Sequence, residues 1–191
     1  MVGFQQRLGI AGKSRLLAGA ASGDGAGTPP RFSPAERVIL CVDMDAFFAS
    51  VEERCAPTTL EGKPVIVCGN TERRSAVAAA NYLAREYGIK AGTPITTARR
   101  LCPHAVFIEG DPEKYVYTNI RINEVCREFT PVVEAFSIDE SFLDITGSAH
   151  LFGGPVATAR RLKERIRQEL GLPVSYTHLR AHETSLHLVC R

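Results

Sequence analysis

Two short acidic stretches hold the residues best suited to chemistry. Asp139 and Glu140 stand side by side in an otherwise apolar segment, with Val132, Val133, Ala135 and Phe136 before them and Phe142, Leu143 and Ile145 after. Like charges this close resist double ionisation unless a cation neutralises them. Carboxylate oxygens suit a hard cation such as magnesium. The alternative is a hairpin turn carrying two solvated acids. The second stretch is Asp43-Met44-Asp45, which ends the apolar run Val38-Ile39-Leu40-Cys41-Val42. A carboxylate between a buried strand and a helix is a common place for chemistry and an equally common helix cap. Asp45 is expected to cap the helix that follows, and Asp43 comes too early for that role.

A third pair is Tyr82 and Arg85. Three residues apart on a helix, they share a face, and a phenol beside a guanidinium can hold phosphate oxygens. The bland reading is a ring and a cation stacked at the surface.

The elements that must position these groups follow from pattern. Val38 to Val42 reads as a strand buried on both faces, and Ala46 to Glu53 as a helix. Lys63 to Gly69 and Ser75 to Ala80 read as strands. Asn81 is expected to cap a helix from Tyr82 to Tyr87, stopped by Gly88. Thr93-Pro94 and Asp111-Pro112 both read as a cap followed by proline at the first helical position. The first of these helices runs to about Leu101, and the second to about Phe129 with Tyr115, Ile122, Val125, Cys126 and Phe129 on its buried side. Ala105 to Ile108 is a strand between them. Valine-, isoleucine- and phenylalanine-rich segments flank the Asp139–Glu140 turn as strands. Pro155 opens a helix with an apolar stripe of Val156, Ala159, Leu162, Ile166 and Leu170; Arg160, Arg161, Lys163, Arg165 and Arg167 form its solvated side. Gly171 ends it, and a last strand begins at Leu172.

Composition sets the frame. The chain has 191 residues, 45% hydrophobic and 23% charged, with a net charge of +2, which is an ordinary balance for a globular protein. Bulk charge alone is not that of a strongly basic nucleic-acid binder. The six cysteines form no CxxC pair, so they argue for reduced thiols in a cytosolic protein and against a paired zinc site. No apolar run approaches the length of a membrane span. Residues 1–35 differ from the rest: the Gly- and Ser-rich stretch around Gly23 to Pro30 is linker chemistry, and basic residues precede the first acid, Asp24. They read as a disordered extension, or as a start codon assigned too early, rather than as a transit or signal peptide.

Taken together, the acidic stretches are more specific than either alone. Val42-Asp43-Met44-Asp45-Ala46-Phe47-Phe48-Ala49-Ser50-Val51-Glu52 resembles the first motif of Y-family, or translesion, DNA polymerases, and Ser137-Ile138-Asp139-Glu140-Ser141-Phe142-Leu143-Asp144 resembles their second. Ala80-Asn81-Tyr82-Leu83-Ala84-Arg85 and Gly88-Ile89-Lys90-Ala91-Gly92-Thr93-Pro94 resemble their fingers. The likeness runs from about Val38 to Ser175 and is strongest to the polymerase IV branch. It implies an α+β fold: a palm with a mainly antiparallel sheet and helices on one face (residues 36–45 and 112–175) and a small inserted fingers subdomain (46–111). It implies template-directed, error-prone synthesis across damaged bases, with primer-template DNA and deoxynucleoside triphosphates as partners. Cofactors would be two magnesium ions held by Asp43, Asp139, Glu140 and the carbonyl of Met44. Catalysis would fall to Asp43, Asp139 and Glu140, with Glu140 at the ion that activates the primer 3′-hydroxyl. Phe48 would be the steric gate against ribose, Phe47 would pack under the incoming sugar, and Tyr82 and Arg85 would grip the triphosphate. Cytoplasmic location and, for a full-length protein, a sliding-clamp partner also follow.

The pattern departs from the family in two places. Ala79 occupies a position where the family usually has a small hydroxyl residue touching triphosphate. After Val174-Ser175 the family continues into an Asn-Lys pair whose lysine contacts triphosphate; here Tyr176-Thr177-His178-Leu179-Arg180 follows. Residues 176–191 are expected to be a non-native tail, similar to the translated read-through of a sequencing adapter, with thumb and little finger missing and the last palm strand cut short at Ser175. His178, His182, His187 and Cys190 have metal-like spacing, which such an origin empties of meaning. Two rival readings stand beside an active polymerase: an inert nucleotide- and metal-binding fragment, and another palm enzyme such as a nucleotidyl cyclase. Phe48 and the Asn81-Tyr82-x-x-Arg85 group speak against the cyclase.

Overall fold

The computed structural model describes residues 37–71 and 75–180. Strand β1 (Val38–Met44) leads into helix α1 (Phe47–Cys55) and the short α2 (Pro57–Leu60). Strands β2 (Val65–Cys68) and β3 (Val77–Ala80) precede helices α3 (Tyr82–Glu86) and α4 (Ile95–Leu101). Strand β4 (Val106–Glu109), helix α5 (Pro112–Arg127) and the hairpin β5 (Val133–Ala135) and β6 (Glu140–Asp144) follow. A 3₁₀ turn at Ala149–Phe152, helix α6 (Pro155–Leu170) and strand β7 (Val174–Arg180) complete the order.

The strands form two sheets. The larger is antiparallel throughout, in the order β5-β6-β1-β7; the smaller, β3-β2-β4, pairs β2 antiparallel with β3 and parallel with β4. Alternation along β1 decides what each face carries. Val38, Leu40, Val42 and Met44 are buried in the main core together with Leu143, Val174 and the apolar sides of α5 and α6. Ile39, Cys41 and Asp43 point the other way. Phe47, Ala49 and Val51 of α1 join the same main core, while Ile66, Val77, Ala80, Ala84, Ile89, Ala98 and Cys102 make a second, smaller one around β2. This is the expected α+β palm, helices on one face of its sheet, with a small fingers subdomain inserted.

Local signals held where one side chain meets a nearby backbone group. Asn81 Oδ1 accepts from Ala84 N, and Asp111 accepts from the amides of Glu113 and Lys114. Tyr115, Ile122, Val125, Cys126 and Phe129 are all buried, and Gly171 closes α6 at φ 68°.

Four expectations need correction. Asp45 does not cap α1: Ala46 occupies that position in the left-handed region (φ 47°, ψ 43°), and the Asp45 carboxylate instead accepts from Ser175 Oγ at 2.7 Å. Thr93 does not cap α4, because its hydroxyl accepts from Lys90 N and Pro94 takes the cap position. Val156 is 53% exposed, whereas Thr158 is buried. At 100° per residue both lie about 80° from the centre of the α6 stripe, on opposite edges, and only the Thr158 edge is covered. Finally, the last strand does not stop at Ser175. It runs to Arg180 and pairs with β1 along its whole length, from Met44 opposite Val174 to Val38 opposite Arg180. β1 presents a full row of backbone donors and acceptors, and pairing with them requires no particular side chain.

The extension 1–35 and His182, His187 and Cys190 lie outside the described residues. Among the described residues no helix is long and apolar enough to cross a membrane.

Candidate active site

The β1–β6 ladder places Asp43 directly opposite Glu140. Directly paired residues share a face of the sheet, so these two carboxylates are neighbours on the side away from the helices. Asp139 closes the group. Its carbonyl accepts from Met44 N at 3.0 Å, which ties the hairpin turn to the end of β1. Burial pushes the Asp43 carboxyl above its ordinary value, and the charges of Asp139, Glu140 and Asp45 push it in the same direction. The acids far apart in sequence therefore feel one another in the fold.

The turn that carries the pair is held by its own first residue. Ser137 Oγ donates to Asp139 Oδ1 at 2.6 Å and accepts from Glu140 N at 3.1 Å; the amides of Phe136 and Ser137 both donate to the Glu140 carbonyl. Glu140 Oε1 accepts from Cys41 Sγ at 3.2 Å. With Asp139 turned onto Ser137 and Glu140 onto Cys41, no three His, Cys, Asp or Glu side chains among the described residues are drawn together as a finished metal cage. The donor set nevertheless fits hard divalent cations: three carboxylates, all oxygen donors, meet where Asp43 is already penalised for its charge.

Just beyond β1, the left-handed turn at Ala46 reverses the chain into α1. A non-glycine residue there is uncommon and marks a constrained junction. It buries Phe47 and leaves Phe48 half-buried beside the carboxylates' end of the sheet. Phe48 lies on Tyr115 of α5, ring centroids 4.4 Å apart, and Phe47 flanks both rings at 5.6 and 6.2 Å. Tyr115 is itself fixed: its hydroxyl donates to Glu52 Oε1 at 2.8 Å, and Lys114 Nζ reaches the same buried carboxylate at 2.7 Å. Burial and that hydrogen bond to Glu52 raise the tyrosine's pKa.

Tyr82 opens helix α3 and Arg85 lies one turn further along it. Tyr82 is 57% exposed, and the Arg85 guanidinium lies 5.2 Å from its ring centroid while Nε donates to the Ala80 carbonyl. The expected shared face is therefore present, and the two side chains stack on each other. Asn81 anchors them. It is buried, accepts from Val65 N and Ala84 N, and donates to the Lys63 carbonyl and Glu53 Oε1. All four of its hydrogen-bonding positions are used.

A model of the impB/mucB/samB family matches residues 42–177, a span that includes Asp43, Asp139, Glu140, Phe47, Phe48, Tyr82 and Arg85. The chain belongs to this family of Y-family DNA polymerases. It is 48% identical over 140 residues to DNA polymerase IV of Moorella thermoacetica and 44% identical over 140 residues to DNA polymerase IV of Bacteroides fragilis. Those alignments cover 72% and 73% of this chain but 34% and 38% of the relatives, so the match spans about a third of their length. Among solved structures it is similar to DinB from Sulfolobus solfataricus (34% identity, TM-score 0.69) and to an insertion ternary complex of Dbh DNA polymerase (35% identity, TM-score 0.69). Each covers 74% of this chain and 42% of the other.

The sequence pattern places Tyr115 in the core and gives no role to Glu52, Lys114 or Ser137. The place of Tyr115 on the buried face of α5 is the available signal. It becomes meaningful only when the partner of that face is known.

Proposed function

We propose that this chain supplies the palm (36–45 and 112–175) and fingers (46–111) of an error-prone, template-directed DNA polymerase that copies across damaged bases. The observation that carries the reading is the pairing of Asp43 with Glu140, with Asp139 locked beside them at the edge of a Y-family palm. Two divalent ions held there, magnesium by the donor chemistry, would supply electrostatic stabilisation for the attacking and leaving oxygens of an in-line displacement. Asp43 and Asp139 would hold both ions, with the Met44 carbonyl as a further ligand and Glu140 on the side of the primer 3′-hydroxyl. Phe47 and Phe48 would bind the incoming sugar. Phe48, backed by Tyr115, would occupy the space a ribose 2′-hydroxyl needs and so act as steric gate. Tyr82 and Arg85, exposed and held by Asn81, would grip the triphosphate. Substrates are primer-template DNA and deoxynucleoside triphosphates; a sliding clamp would serve only the full-length protein, in the cytoplasm.

For the 191 residues by themselves we infer at most nucleotide and metal binding, with feeble binding of primer-template DNA and little or no extension of it. Phosphate contacts dominate affinity for duplex DNA, and the chain aligns with only about a third of the length of its relatives. Residues 176–191 are read as a non-native tail whose backbone, to Arg180, nonetheless completes the sheet.

Magnesium-dependent primer extension by a full-length version tests the assignment. Asp139→Asn and Glu140→Gln should abolish it, and Phe48→Val should admit ribonucleotides while deoxynucleotide incorporation persists. Undiminished extension by the carboxylate variants would overturn the site.

A further inference from the structure

Adjacent acids on a hairpin turn are poorly placed to hold a fixed geometry. The turn is largely exposed, and local bonds from Ser137 cannot set its distance from the rest of the fold. Helix α5 passes behind it and makes two contacts that no catalytic role explains. Asn119 Nδ2 donates to the Ile138 carbonyl at 2.9 Å, immediately before the acid pair. Ser141 Oγ, immediately after the pair and 3% exposed, donates to Asn123 Oδ1 at 3.1 Å. The two asparagines are joined: Asn123 Nδ2 donates to Asn119 O at 3.0 Å and to Asn119 Oδ1 at 3.2 Å.

The direction of this chain is determined by its own chemistry. The Asn119 main-chain carbonyl can only accept, so the Asn123 amide nitrogen faces Asn119 and Asn123 Oδ1 is left to accept from the Ser141 hydroxyl. That nitrogen takes Asn119 Oδ1 as acceptor, which leaves Asn119 Nδ2 aimed at Ile138. Each amide is thereby oriented by the next, without ambiguity between its oxygen and nitrogen. Asn123 is 4% exposed, so a lost partner there would not be replaced by water at no cost. The Ile138 carbonyl is pinned by Asn119 and the Asp139 carbonyl by Met44 N. The peptide planes on both sides of the Asp139 Cα are therefore fixed, one from the helix and one from β1.

We propose that Asn119 and Asn123 are positioning residues: a relay Ser141–Asn123–Asn119–Ile138 clamps both flanks of the Asp139–Glu140 pair to α5 and sets where those carboxylates present their oxygens to a divalent ion. This rests on the metal-site reading above. Thr118, also on α5 and 1% exposed, bonds only back to the Lys114 carbonyl among the hydrogen bonds described. It provides a buried control on the same helix that does not touch the turn.

The test is Mn²⁺ titration of the 191-residue chain, with free Mn²⁺ read by electron paramagnetic resonance and folding followed by circular dichroism. Asp139→Asn should remove Mn²⁺ binding at the site. Asn119→Ala and Asn123→Ala should weaken it roughly ten-fold, the usual loss when a ligand's supporting hydrogen bond is removed. Thr118→Val should leave it unchanged even where it lowers the melting temperature. Should an asparagine variant fail to fold, Ser141→Ala removes the head of the relay from outside the helix and should also weaken binding. Wild-type affinity in the asparagine or Ser141 variants, with Asp139→Asn inactive in binding, overturns the relay and leaves the metal site standing. Equal weakening by Thr118→Val reduces the effect to stability and also overturns it. No Mn²⁺ binding by the unaltered chain, or binding indifferent to Asp139→Asn, overturns the metal reading and the relay together.

Discussion

The two ends of the β1–β6 ladder carry acids on the same face of the same pair of strands, and their environments are opposite. At one end Asp144, paired with Ile39, accepts from Thr146 N, Thr146 Oγ1 and the Arg37 guanidinium. Partial burial pushes its pKa up, but those bonds and the Arg37 charge outweigh it, and the carboxyl is held below its ordinary value. At the other end Asp43 has carboxylates for neighbours and is held above it. The strand pair, its face and the residue type are shared, so the difference lies in the partners. One acid is a structural fastening between the start of β1 and the turn after β6. The other sits among like charges, an environment that a proton or a bound cation would relieve and that is enriched at functional sites.

The comparison can be broken most forcefully through the core that both ends share. Leu143 is fully buried between them, and Leu143→Ala should cost about 2–5 kcal/mol. Both ends should loosen together, read as a single cooperative loss in thermal melting and in amide exchange of β1. Protection that survives at one end would show the two to be independent.

A divalent ion should separate them next. If Asp43, Asp139 and Glu140 bind Mg²⁺ or Mn²⁺, saturation at a hundred-fold excess over Kd should add about 2.7 kcal/mol. The rise in melting temperature should vanish in Asp43→Asn and survive in Asp144→Asn. A rise that depends on Asp144 instead would reverse the assignment.

Asp144→Ala should then lower stability by about 1 kcal/mol, mostly through the Thr146 turn, since Arg37 is 63% exposed and exposed ion pairs contribute little. Asp43→Asn in metal-free buffer at neutral pH should do the opposite and raise the melting temperature.

The smallest effect is the pH dependence, and its sign differs between the ends. Asp43 binds its proton more tightly folded than unfolded, so its contribution favours the fold below the ordinary value of 3.8 and is lost as pH rises through its raised native value. Asp144 binds its proton less tightly when folded. Its contribution is present above 3.8 and is lost as pH falls toward its lowered native value. Melting curves of the two Asn variants against wild type across that range should therefore diverge in opposite directions.

Much of this was legible in the chain beforehand, and the reasons are local. Val, Ile and Phe on both sides of Asp139 and Glu140 read as a hairpin because strand alternation is a nearest-neighbour property. Asn81 and Asp111 read as caps because a short polar side chain reaches an amide two or three residues on. The acid motifs, taken with their fingers-like companions, also pointed to the family. Where a cap was misassigned, another group took the same side chain, distant in one case and local in the other. Asp45 would have capped α1, but the left-handed turn at Ala46 leaves its carboxylate to Ser175, which arrives from the far end of the chain. Thr93 was claimed by Lys90 N.

What the sequence by itself determined about this protein is therefore its elements, the faces those elements bury, and the acid and aromatic residues offered to a site. Only the tertiary structure decided that Asp43 lies opposite Glu140 while Asp144 lies opposite Ile39, that Tyr115 backs Phe48, that Asn119 and Asn123 stand behind the acid turn, and that β7 continues past Ser175 along β1. The physical reason is the range of the forces involved. Periodicity and capping act over a few residues and are written in neighbouring letters. Strand register and helix-to-sheet hydrogen bonds join segments whose separation along the chain carries no record of their contact, and they are set only when burying the shared core chooses one alignment over the rest.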